Sequence, residues 1–147
     1  MAIQATQNNN NEPFVLDDNA ELLDDLTLAV NQIALTKGMV LSEVASTAGG
    51  KVVGQIVPTN TSGTDGTNIP KFLSVDAVAV NTSATQTIAA YTMGIFDENQ
   101  VNFSATSMAL TTMVTMATGR VESMKNALRD VGIRLAPGLS ATGYENS

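Results

Sequence analysis

This sequence predicts a mainly β fold with one or two short helices: α+β in class, small and compact, with a flexible N-terminal arm. Three observations predict it. Short runs of β-branched and apolar residues recur at roughly ten-residue spacing, with Gly, Asn, Asp or Ser clusters between them. The clearest apolar pattern at helical spacing lies in the window at residues 119–131. The 147-residue chain is 44% hydrophobic but 4% aromatic, without tryptophan, so its core must be assembled from Val, Ile, Leu, Ala and Met.

Taken in order, residues 1–25 read as a flexible acidic arm, 26–136 as a β-rich domain and 137–147 as a C-terminal tail. The leader to about Glu12 is rich in Gln and Asn, ends in Asn8-Asn9-Asn10-Asn11, and has almost nothing to bury. Pro13-Phe14-Val15-Leu16 then stands alone as an apolar patch. It is incidental stickiness, a first contact with the body of the domain, or a strand that docks on a partner. Leu22, Leu23 and Leu26, spaced among acids, suit a short helical turn. The body opens with Thr27–Leu35, a Lys37-Gly38 turn and the strand Met39-Val40-Leu41. Lys51–Val57 follows as a strand, with Gly49-Gly50 as its connection, and Pro58–Pro70 is a surface loop or an open hairpin. The clearest strands are Phe72–Ala79 and Thr87–Tyr91, the latter running into Gly94-Ile95-Phe96. The stretch from Ser104 to Thr118 has no assignable pattern. Val121, Met124, Leu128 and Val131 then fall on one helical face, with Thr118 as the expected N-cap and Gly132 as the stop. Ile133–Ala136 returns as a last strand.

Charge narrows the function. The net charge is -7, and charged residues make up 14%, well below the roughly 25% of ordinary soluble domains. Glu12, Asp17, Asp18, Glu21, Asp24 and Asp25 all precede the first base, Lys37. Nucleic acid is a poor partner for such a chain, because phosphate binding needs clustered Lys and Arg. No apolar run approaches membrane-spanning length, and the N-terminus lacks the pattern of a secretion signal. Cys and His are both absent, which excludes disulfides, Cys- or His-ligated metal sites and every nucleophile-base pair built on those residues.

Carboxylates are the remaining candidates for chemistry. Asp97-Glu98 is expected at a turn and Asp76 within a strand, and both read as solvated acids. A sugar cleft would call for stacking aromatics, and this chain has only Tyr91 and Tyr144 besides four phenylalanines. Asp17-x-Asn19-x-Glu21 begins like a calcium loop. However, Leu22 and Leu28 stand where that loop needs Gly and a bidentate acid. Gly49-Gly50-Lys51 lacks the spacing of a phosphate loop. Nothing calls for a cofactor, a metal or a small-molecule substrate, and no catalytic residue is assigned. Of the methionines, Met124 is expected in the core, whereas Met108, Met113 and Met116 suit either core or surface.

The order of these elements resembles the lambda-type head decoration proteins of tailed phages. The resemblance rests on the strand-turn-strand through Gly38 to Leu41, on Lys51-Val52-Val53-Gly54-Gln55-Ile56, on the strands ending at Gly94-Ile95-Phe96, and on the closing helix with Val131-Gly132-Ile133-Arg134-Leu135. It implies a structural, non-enzymatic homotrimer, made in the host cytoplasm as a late protein and carried on the outer surface of the virion head. Its partner would be the major capsid protein at threefold and quasi-threefold sites. The capsid-binding arm would run through Pro13, Phe14, Val15 and Leu16. A fibre or adhesin module touching its receptor through Pro58–Pro70, or a tail-tube subunit, is the alternative of the same β-rich kind.

Overall fold

The computed structural model describes residues 14–30, 32–47, 52–80 and 84–137. Its strands are β1 (Glu21–Leu28), β2 (Val40–Glu43), β3 (Ile56–Pro58), β4 (Phe72–Ser74), β5 (Gln86–Asp97), β6 (Met113–Thr115), β7 (Val121–Ser123) and β8 (Ile133–Ala136). One α-helix, α1 (Met124–Asp130), lies between β7 and β8. The main sheet has the order β1-β3-β2-β4-β5-β8, and β1 also pairs with β5, so the first strands of that order close into a small barrel. The mainly β expectation holds.

β5 organises the molecule. Its first half pairs antiparallel with β1, from Leu28 opposite Gln86 to Glu21 opposite Met93. It also pairs with β4, Leu73 opposite Tyr91. Its second half pairs in parallel with β8, Gly94 opposite Ile133 through Asp97 opposite Ala136. The twelve-residue length of β5 follows from its sequence, a run of Thr, Ile, Ala and Tyr with no breaker before Gly94. Gly94 is required where it stands. Its φ is 140°, and a Cβ there would lie 2.9 Å from the Cβ of Ala20 and 3.0 Å from the Phe96 ring.

Two larger clusters and a small one of Ala29, Val44 and Val57 fill the interior. Leu28, Leu35, Met39, Leu41, Ile56, Phe72 and Ile88 pack inside the barrel. Phe14, Val40, Leu73, Phe96, Val114, Met124, Leu128 and Ile133 pack where α1 and the β6–β7 hairpin cover its end. Ser42 and Thr59 satisfy one another inside, hydroxyl to hydroxyl at 2.7 Å.

Several expectations are corrected. The stretch that carries Leu22, Leu23 and Leu26 is a strand instead of a helical turn, and it runs across residues 25 and 26. β1 buries Leu28 at its end while its acids face solvent. The closing helix begins at Met124, where the Ser123 hydroxyl accepts a hydrogen bond from the Asn126 amide at 3.2 Å. Residues ahead of it turn through Met116–Arg120 and pair as a hairpin, Thr115 opposite Val121. Pairing Val121 with Thr115 buries Val114 from the facing strand, so Val121 lies 55% exposed instead of on a buried helical face. Met124, Ala127 and Leu128 keep the predicted phase. Phe72–Ala79 is a strand only to Ser74, whose hydroxyl then donates to the Asp76 carbonyl at 2.8 Å and bends the chain. Asp76 therefore lies in a bend. The predicted strand at 51–57 shortens to Ile56–Pro58, and its Gly49-Gly50 connection lies outside the described residues, as do the leader and residues 138–147.

Candidate docking surface

The predicted arm residues are built into the body. Phe14 is 3% exposed. Its ring meets Phe96 at 5.2 Å between centroids and Tyr91 at 5.9 Å, and Tyr91 meets Phe96 at 5.0 Å. Lys37 Nζ lies 5.8 Å from the centre of the Phe14 ring, within cation-π reach. Val15 bridges Phe96 antiparallel, with the Leu16 amide donating to the Ile95 carbonyl at 2.8 Å and the Asp97 amide to the Phe14 carbonyl at 2.9 Å. Asp17 fastens the next step by accepting from the Ile95 amide at 3.2 Å. Phe14, Val15 and Leu16 thus make a contact with the body, one of the readings of this patch. Pro13 lies outside the described residues. The signal for Phe14 was scarcity: in a chain with so few large rings, leaving one in water forfeits about 1.5–3 kcal/mol of burial.

Beyond Asp17 the surface is acidic and then apolar. Glu21, Asp24 and Asp25 are exposed along β1 together with Leu22 and Leu23, which are 47% and 45% exposed. Register shifts between Glu21 and Leu22 and between Leu23 and Leu26 kink this strand. Bulges and charges of this kind keep an outer strand from pairing with copies of itself. On the β6–β7 hairpin, Met113 and Val121 are 56% and 55% exposed on the outer face. Met124 is fully buried, as expected.

The hollows are lined mainly by neutral side chains. One beside the 60–69 loop has Asp65 as its single ionisable lining residue. Asp65 is itself buried and accepts from the Thr67 hydroxyl at 2.6 Å. A second, between Ile33, Pro58 and Met108, is lined by amides, hydroxyls and apolar groups alone. A third places Asp17 and Arg134 around Met93 and Gly94. Asp97, one of the two acids considered for chemistry at the end of β5, is 1% exposed and serves as a cap. It accepts from the Asn99 amide at 2.9 Å and from the Gln100 side-chain amide at 2.9 Å. Glu98 pairs with Lys125 at 3.2 Å. Among the described residues, no group of His, Cys, Asp and Glu is gathered as a metal would need.

A closed strand barrel with a kinked acidic flank, exposed apolar side chains and neutral hollows has the build of a structural subunit that works by surface contact. Comparison with protein families gives the family. The one described as bacteriophage lambda head decoration protein D matches residues 3–123, and the chain belongs to it. It is accordingly a structural protein of the phage head that decorates the capsid and binds its outer surface. No curated protein sequence gave a match. The matched span ends at Ser123, the N-cap of α1, yet α1 and β8 complete the same core.

Proposed function

We propose that this protein cements the expanded head of a tailed phage. It would sit as trimers at threefold and quasi-threefold sites and resist the separation of capsid subunits under DNA pressure. The observation that carries this reading is the span of the family match. It begins at residue 3, so the polar leader ahead of Phe14 belongs to the family pattern as much as the barrel does.

That leader is the proposed grip. Residues 1–13, with Pro13 at their base, extend from the point where Phe14, Val15 and Leu16 are pinned to β5, and they pair with the major capsid protein by strand addition. Backbone hydrogen bonds supply the affinity in such pairing, so no special side-chain chemistry is needed. Ordering the segment costs roughly 1–2 kcal/mol per residue. In a trimer, the first segment to bind raises the effective concentration of the others and offsets that cost. Pinning Phe14 limits the ordering to the residues ahead of it.

Cosedimentation with undecorated heads tests this. Protein lacking residues 1–13 should keep its denaturation midpoint and its oligomeric state, yet bind heads poorly. Full occupancy by the truncated protein would show that the leader is not the grip.

A further inference from the structure

The β6–β7 hairpin stands outside the main sheet, as a two-stranded ribbon of its own. Two-stranded ribbons are marginal unless something fastens them. Val114 enters the core from one strand, and Glu122 is its partner on the other, so both side chains face inward. The Glu122 side chain is only 12% exposed.

Its surroundings are unusual. Arg120 Nε lies 2.9 Å from Glu122 Oε2, and Arg120 Nη2 lies 2.8 Å from Asp130 Oδ2, so one guanidinium spans two carboxyl groups. Glu122 Oε1 is buried with no hydrogen-bond donor directed at it. Asp130, held by the same guanidinium, can hydrogen-bond to Glu122 only when one of the two carboxyl groups carries a proton. Arg129, the other charge on α1 that acts on Glu122, favours the ionised form. β6 contributes Met113, Val114 and Thr115, none of them charged.

We propose that Glu122, Asp130 and Arg120 form a proton-dependent latch between β7 and the end of α1. With one shared proton, the carboxyl pair ties the ribbon to the helix. When that proton leaves, two carboxylates face one guanidinium and the ribbon, with its exposed Met113 and Val121, loosens. The affinity of Glu122 for the proton agrees. Its hydrogen bond to Asp130 and then its burial hold its pKa above the usual carboxylate value, against the opposing pull of Arg120. The sign follows. The folded chain binds this proton more tightly than the unfolded one, so the latch contributes fully below the ordinary carboxylate range and is lost as pH rises through the raised value.

Carboxyl-carbon NMR and amide exchange on the full chain, from about pH 4 to pH 8, test the latch across the ordinary carboxylate value and above it. Glu122 should lose its proton above that value. Protection of hairpin amides such as Met116 should fall by about tenfold per pH unit across the same window, after correction for intrinsic exchange, while barrel amides hold. Glu122→Gln, whose amide donates to Asp130 at every pH, should keep the protection and abolish the step. Ordinary titration of Glu122, constant hairpin protection, or an unchanged step in E122Q would each overturn the proposal. The wild-type titration decides the matter even if the variant folds poorly.

Discussion

Replacing Phe14 with alanine is the sharpest test of where the body of this protein begins. The ring is 3% exposed and touches both Tyr91 and Phe96, while the backbone on either side is bonded to β5. Large-to-small changes at buried phenylalanines cost about 3–5 kcal/mol, and aromatic pairs add about 0.5–1.5 kcal/mol beyond burial. The lower figure, about 3 kcal/mol, sets the minimum expected loss. Against a total of roughly 5–15 kcal/mol for a domain, that is a large fraction. In urea, with slopes of about 1–3 kcal/mol per molar, the midpoint should drop by about 1–3 M. Chemical denaturation followed by far-ultraviolet circular dichroism reads this directly. A midpoint unchanged from wild type would refute the reasoning: the ring would then contribute nothing to the fold and would be free for a partner.

Other expectations follow from the same packing. Leu128→Ala should cost about 2–5 kcal/mol, because the side chain is fully buried between α1 and the core, and the denaturation midpoint checks it. Gly38→Ala should destabilise more than Gly119→Ala. Both glycines have positive φ, 84° and 90°, but only at Gly38 would a Cβ meet backbone, 2.5 Å from the Gln100 carbonyl oxygen, whereas Gly119 opens on free space. Gly119→Ala should lose about 1–2 kcal/mol for the left-handed conformation alone, and parallel urea titrations compare the pair. Tyr91 should ionise above the ordinary phenol value of 10.0, through burial first and the charge of Asp76 second. The unfolded chain then releases its proton before the folded one, so stability falls as pH rises from about 10 through the raised value. Ultraviolet titration of wild type against Tyr91→Phe measures it.

What the sequence made legible followed local pattern. The Lys37-Gly38 turn, the strand through Ile88 and Ala90, the stop at Gly132 and the buried phase of Met124 and Leu128 all lie where spacing and turn residues place them. What it hid depended on partners distant along the chain. Phe14 is a core residue because Phe96 and Tyr91 wait for it some eighty residues later, and nothing near position 14 signals that. Val121 sits at helical spacing from Met124, but strand pairing with Thr115 overrides that register. Asp24 and Asp25 suggested a solvated tail, yet a strand can carry acids on a kinked outer edge while its leucine end closes a barrel. At the candidate docking surface, composition indicated contact without chemistry, whereas the point where the body takes hold of its leader emerged only from the fold.

The place of β5 has a mechanical consequence. Both ends of the described chain are knitted to its second half, Phe14 to Leu16 antiparallel and Ile133 to Ala136 parallel. A pull applied at residue 14 would therefore enter the longest strand at once, without crossing a loop. The intervening connections, such as 59–71 and 101–112, lie off that route. Buried Thr59, Asp65 and Thr67 and the Met39–Asn102 bridge tie these connections to the barrel beside that path.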